Sequence, residues 1–209
     1  EASDIVILAV KPNVIESVLV QIKEEVKNKE ILVISIAAGV KLDSIKSILG
    51  NSTKIIRAMP NTPASIMEGV TAISPNENTN SEDRKKAQLL FECVGKVTEI
   101  KEKEIDIFTA LIGSGPAYVF YLIESLLNSS ENLSLPDTEK VELISSMIKG
   151  AAKLASVSED SPTILRNKVT SPGGVTQRAI EEFEKNKLKE IIKESMESAE
   201  KRSIELGEN

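Results

Sequence analysis

The chain opens on a continuous run of branched apolar residues, DIVILAV (Asp4 to Val10), the pattern of a strand covered on both faces. The run stops at Lys11 and Pro12. Val14, Ile15, Val18, Leu19, Ile22 and Val26 then recur at helical spacing with Lys and Glu between them, which predicts an amphipathic helix to Lys29. EILVISI (Glu30 to Ile36), the turn AAGV and a short helix over Leu42 to Leu49 repeat the scheme. A third run, TKIIRAM (Thr53 to Met59), leads into PNTPAS, whose two prolines predict an irregular loop. GVTAIS reads as a further strand, Ser81 as the cap of a helix to about Cys93, and GKVTEI as a last edge strand. Strands alternating with helices imply a parallel sheet that binds ligands beyond the carboxyl ends of its strands, and both AVKP (9–12) and AAGV (37–40) lie at such ends.

After Lys101 the pattern changes. No strand run follows, and apolar residues recur at spacings of three and four in three or more helices. IDIFTALIGSGPAYVFYLIESLL is apolar almost all round, which predicts burial inside a bundle. Its interruption at Gly113, Ser114, Gly115 and Pro116 predicts a kink or the close approach of another group. Toward the end, Ile180, Phe183, Leu188, Ile191, Ile192 and Met196 form a stripe that needs a partner helix. The expected architecture is α/β followed by all-α, with residues 1–104 as one domain and 105–209 as the other.

The 209 residues are 41% hydrophobic and 28% charged, enough for an ordinary core. A net charge of -6 gives no reason to expect nucleic acid or an anionic membrane as a partner. No apolar run approaches the roughly 20 residues that span a bilayer, and the first residues lack a basic flank or a small-residue cleavage site, so the expectation is a soluble, unexported, cytoplasmic protein. The single cysteine, Cys93, excludes an internal disulfide, and its apolar neighbours suggest a buried, inert thiol. There is no histidine, which removes imidazole-dependent triads and the common zinc sites, and no metal site is expected. Chemistry must then come from an external cofactor, backbone dipoles, or Ser, Thr, Lys and carboxylates.

One stretch answers that need. In KVTSPGGVT (168–176), Pro172, Gly173 and Gly174 stand just ahead of an amphipathic helical pattern, so they form a loop whose N–H groups are expected to point outward unpaired. A small carboxylate could approach the two glycines closely, with hydroxyl donors at Ser171 and Thr176. The plainer reading is an ordinary tight turn and N-cap. A first strand with no G-x-G-x-x-G anywhere in the chain raises a second question: either a βαβ unit belongs ahead of it, or the fold is another one.

DIVILAVKP, SIAAGV, RAMPNTPA, GSGPAYVF and VTSPGGVT, in this order, closely resemble the pyrroline-5-carboxylate reductases over essentially the whole chain. The resemblance implies an incomplete Rossmann-like sheet binding NADPH or NADH, here without the family's amino-terminal strand, glycine-rich turn and following helix. It also implies a helical domain that forms a homodimer, often assembled further into rings. It implies reduction of 1-pyrroline-5-carboxylate to L-proline, the last step of proline biosynthesis. The carboxylate would be held by Ser171, Pro172, Gly173, Gly174, Val175 and Thr176, the ring nitrogen hydrogen-bonded by Thr176, and Glu159 would neighbour the pocket. Ala9, Val10, Lys11 and Pro12 would face the adenosine and ribose side of the cofactor, Ala37, Ala38 and Gly39 the nicotinamide ribose, and Asn61 the nicotinamide pocket, with Ser114 near the substrate. The bland alternatives are a strand end at Lys11, a turn glycine at Gly39, a rigid loop at Asn61, packing glycines in GSGP and an exposed cap at Glu159. Two other functions stay open: a related imine reductase or hydroxyacid dehydrogenase, for which Lys149 is the tempting residue, and a non-catalytic oligomerisation fragment.

Overall fold

The computed structural model describes residues 3–207 and divides into two compact units. One takes in the chain up to Pro116 together with the segment from Ser195 onward, and the other is Ala117–Glu194.

The first unit is built on a five-stranded sheet in the order β1 (Ile5–Leu8), β2 (Leu32–Ser35), β3 (Ile55–Met59), β4 (Gly69–Pro75), β5 (Gly95–Glu99). β1, β2 and β3 are parallel, with Val6 opposite Val33 and Ile34 opposite Ile56. β4 then reverses direction and pairs antiparallel with β3, Arg57 facing Ser74, and β5 runs parallel to β4. The reversal follows from the connection: α1 (Pro12–Lys29) and α2 (Leu42–Leu49) supply crossovers between parallel strands, whereas only nine residues separate Met59 from Gly69, too few for a crossover helix. PNTPAS is more regular than its prolines suggest, because Thr62–Ile66 form a 3-10 turn.

Branched apolar residues fill both faces of the sheet. Leu8, Val33 and Ile55 pack with Ile15, Leu19 and Val26 of α1 and Ile45 and Leu49 of α2. On the other face Leu32, Ile34, Ile56, Ala58 and Ile73 pack with Ala87 and Phe91 of α3 (Ser81–Glu92). α3 packs over β4 and β5, so Ile7 at the β1 edge is exposed, and β1 is not covered on both faces as its composition suggests. The cap of α3 is Asn80, one residue before the expected Ser81: its side chain accepts from Asp83 N at 2.9 Å while Asp83 accepts from Asn80 N at 3.0 Å. Cys93 is exposed rather than buried, because it sits past the end of α3, where its thiol bonds Leu89 O at 3.3 Å.

The segment GSGP interrupts a helix, as expected, through a π turn. α4 (Ile105–Phe108) runs into a π turn over Thr109–Gly113, closed by Ser114 N donating to Thr109 O at 2.8 Å, before α5 (Gly115–Asn128) begins.

The second unit contains most of α5, α6 (Asp137–Val157), α7 (Pro162–Lys168), α8 (Val175–Lys185) and the start of α9 (Leu188–Leu206). No strand occurs in it. Among residues 117–194 only Lys140 is buried, while Phe120, Tyr121, Leu143, Met147, Phe183, Ile191 and Ile192 are exposed. The expectation that α5 lies inside a bundle is therefore not met within one chain, since no apolar core forms around it. By length and mean hydropathy the run Glu102–Asn128 could cross a membrane, contrary to the expectation that no apolar run approaches that length.

Candidate active site

Because β1, β2 and β3 are adjacent and parallel, their carboxyl ends bring three of the expected segments to one edge of the sheet: Ala9–Pro12, Ala37–Gly39 and the loop containing Asn61. Ala9, Lys11 and Pro12 are exposed and Val10 is half-buried. Pro12 is the first residue of α1, whose start has neither a side-chain cap nor an acidic residue in its first turn. That end of the helix keeps its partial positive charge available to an anionic group.

The turn after β2 is enclosed by its own chain. Ala37 N donates to Ser35 Oγ at 3.3 Å and Val40 N to Ala37 O at 3.4 Å. Gly39 has φ +78°, and a Cβ there would lie 3.1 Å from the carbonyl of Leu206; a Cβ on Gly207 would lie 2.6 Å from Gly39 O. Two glycines thus let two backbones meet, and the space that a side chain on Gly39 would fill is taken by the end of α9. Ala37 and Gly39 are buried, and Ala38 is the half-exposed member of the trio.

The first amide of α2, Leu42 N, donates to Glu102 Oε1 at 2.6 Å, so a carboxylate sixty residues away already occupies that helix end and leaves it no role as a phosphate site. Glu102 also pairs with Arg57 Nη1 at 3.4 Å, and Arg57 Nη2 lies 3.7 Å from Asp106 Oδ1. Ser203 Oγ donates to the same Asp106 oxygen at 2.7 Å. This network of Arg57, Glu102, Asp106 and Ser203 was not among the expected functional residues. The signal was present in TKIIRAM: an arginine flanked by apolar strand residues must be buried, and a buried cation needs a carboxylate.

Asn61 spends its amide on the protein. Its Oδ1 accepts from Val70 N at 2.8 Å and its Nδ2 donates to Ile112 O at 3.2 Å, so it ties the loop after β3 both to β4 and to the π turn. Gly113 makes the complementary close approach, since a Cβ there would lie 3.0 Å from Met59 Cε. The half-helix break at Ser114 is therefore held from beneath by the MPNTP loop.

In the second unit, Ser171, Pro172, Gly173, Val175 and Thr176 are exposed and Gly174 is half-buried at the start of α8. The expectation of bare amides at the glycines needs correction. Gly173, at φ +72°, donates its N–H to Gln177 Oε1, and Gly174 N donates to Ser171 O at 3.0 Å. The tight turn consumes both donors. The open donors are instead those of the first turn of α8, Val175 N and Thr176 N, which have no carbonyl four residues back within the helix. Thr176 Oγ1 stands beside them. Lys168 is ion-paired to Asp160 at the opposite end of α7, and Ser161 caps that helix through Ile164 N at 3.3 Å. Glu159 itself is exposed in the bend after α6 and takes no part in these ties.

The family model described as pyrroline-5-carboxylate reductase dimerisation matches residues 102–206, and one described as NADP oxidoreductase, coenzyme F420-dependent, matches residues 1–39. The chain is 37% identical to the pyrroline-5-carboxylate reductase of Arabidopsis thaliana over 99% of its own length and 74% of that protein. It is 35% identical to that of Escherichia coli, covering 100% of this chain and 77% of the relative. The crystal structure of the Plasmodium falciparum pyrroline carboxylate reductase with NADP bound superposes with a TM-score of 0.90 at 35% identity, over 96% of this chain and 80% of that one. The chain belongs to the pyrroline-5-carboxylate reductase family.

Proposed function

We propose that this protein reduces 1-pyrroline-5-carboxylate to L-proline with NAD(P)H. The observation that carries the reading is the pairing of family membership over nearly the whole chain with an open, hydroxyl-flanked helix start at Val175 and Thr176. Those two amides and Ser171 Oγ bind the substrate carboxylate, favoured by the positive end of α8. Gly173 and Gly174 shape the turn that presents them. Thr176 Oγ1 hydrogen-bonds the ring nitrogen and fixes the face of the C=N bond. A cyclic imine protonates readily, so a chain without histidine can rely on positioning. Glu159 adds negative charge near the iminium.

On the sheet unit, the small residues Ala9, Ala37 and Ala38 and the uncapped start of α1 with Lys11 fit a nucleotide laid across the strand ends. Val10 and Pro12 complete that wall, and Gly39 and Asn61 hold it from behind. NAD(P)H bound there would supply the hydride. The exposed apolar faces of the second unit fit a second copy of the chain better than a bilayer, because they are spread over α5, α6, α8 and α9 rather than confined to one span. The protein is a homodimer on this reading, open to further assembly into rings, and works in the cytoplasm.

Following loss of reduced-nicotinamide absorbance with pyrroline-5-carboxylate and NADPH tests the assignment, using the chain alone and the chain preceded by a strand, glycine-rich turn and helix. Turnover in neither form overturns it. Thr176→Ala is expected to lower kcat by about tenfold or more, the loss of one hydrogen bond to a charged group, and Thr176→Ser to retain most of it.

A further inference from the structure

The contacts around the β2–α2 turn close on themselves. Starting at Gly39, the chain of neighbours runs to Gly207 and Leu206 at the end of α9, back along one helical turn to Ser203, through its hydroxyl to Asp106, across the guanidinium of Arg57 to Glu102, and from Glu102 to the Leu42 amide at the start of α2. Gly39 and Leu42 bound the turn. It is held on one side by backbone packing and on the other by a carboxylate, and both holds are anchored on the same buried arginine. Arg57 is 3% exposed, so its charge is satisfied within this ring, and the second negative charge faces the partial positive end of α2.

We propose that the end of α9, through Ser203 and Gly207, is a positioning element of the cofactor site: it sets the shape of the Ala37–Val40 turn against which the nicotinamide nucleotide lies. The proposal rests on the reading that this turn faces the cofactor. Ser203 and Gly207 touch neither cofactor nor substrate. Ser203 acts by orienting Asp106 and fixing the last turn of the helix. Gly207 acts by being small enough to reach Gly39, a contact that any side chain at 207 would break against the Gly39 carbonyl.

Amide hydrogen exchange in the protein without cofactor tests the ring itself. In Ser203→Ala the amides of Ala37 and Val40, bonded to Ser35 Oγ and Ala37 O, are expected to exchange about tenfold faster, the equivalent of one charge-assisted hydrogen bond, while Ile34 and Ile56 in the strands stay as protected as before. Ser203→Thr keeps the hydroxyl and restores the slow exchange; Gly207→Ala reproduces the loosened turn by a steric route. NADPH titration by fluorescence then reads the functional half: the dissociation constant rises about tenfold in Ser203→Ala and Gly207→Ala, returns in Ser203→Thr, and the KM for the imine stays within about twofold. Unchanged exchange at Ala37 and Val40, or an equal rise at Ile34 and Ile56, overturns the ring. Faster exchange with an unchanged NADPH constant overturns its role in cofactor positioning. Failure of the unsubstituted protein to bind NADPH, with the exchange effect present, overturns the cofactor reading beneath it and is told apart by the exchange arm.

Discussion

Replacing Phe120 by Ser should dissociate the protein, and the size of the effect can be worked from its exposure. Phe120 on α5 is 63% exposed although it lies inside an apolar run, AYVFYL. A phenylalanine presents roughly 200 Å², which leaves about 125 Å² for a partner to cover. At about 25 cal/mol/Å² this is about 3 kcal/mol for each copy. In a two-fold dimer the same patch appears twice, so the substitution removes about 6 kcal/mol, a rise in the dimer dissociation constant of about four orders of magnitude. Sedimentation equilibrium over a dilution series reads this directly. A protein that sediments as a dimer with a dissociation constant raised less than tenfold would show that α5 is not at the contact. One that is monomeric before substitution would refute the argument from exposed apolar area altogether.

Arg57→Met should destabilise the first unit by about 2–3 kcal/mol in urea unfolding, below the usual cost of breaking a buried pair, because Asp106 keeps the Ser203 hydroxyl and Glu102 the Leu42 amide; a loss under about 0.5 kcal/mol would contradict a buried charge network. Gly39→Ala combines a left-handed φ with a contact at 3.1 Å from the Leu206 carbonyl, and should cost about 2 kcal/mol or more by the same measurement. Acid sensitivity has a specific contributor in the ion pair of Lys46 on α2 with Glu77 after β4. The hydrogen bond from Lys46 holds the Glu77 carboxyl below its ordinary value, and the same bond holds the Lys46 ammonium above its own. A depressed carboxylate stabilises the fold above the unfolded value of about 4.3 and loses that contribution as pH falls through the folded value. Glu77→Gln should therefore flatten the stability profile below about pH 4.3 and leave its shape near neutrality unchanged, a small effect that about 0.5 M salt should remove.

Periodicity carried most of the first unit. Strand runs of Val and Ile and the helical stripe of Val14 to Val26 placed β1 to β3, α1 and α2, and the exact bounds of α2 follow from Leu42, Ile45 and Leu49 turning one face to the core. The reversal of β4 was not legible, because a strand's composition does not carry its direction; the nine-residue connection does, once a crossover is required to hold a helix. The antiphase of Asn80 and Ser81 was missed because both residues cap well, and the choice is made by Asp83 reaching back. The candidate site was legible as loops but not as hydrogen bonds. Gly173 and Gly174 were expected to offer donors, yet Gln177 Oε1 takes one and Ser171 O the other. The ring at Arg57 joins residues separated by up to 168 positions, Gly39 and Gly207, a closure that local patterns cannot express.

The reversal of β4 also divides the labour of the sheet. Carboxyl ends of β1 to β3 point toward one edge, whereas those of β4 and β5 point the other way, so the connection leaving β4 opens on the far side from Ala9–Pro12 and Ala37–Gly39. The loop at Asn76–Asn80 on that side is tied into the fold, Asn76 accepting from Ile55 N at 3.1 Å and donating to Thr53 O at 2.8 Å, whereas Lys85 and Leu89 on the outer surface of α3 are exposed. That helix surface is where this fold can absorb tags or sequence drift while the three-stranded half keeps the geometry of its strand ends.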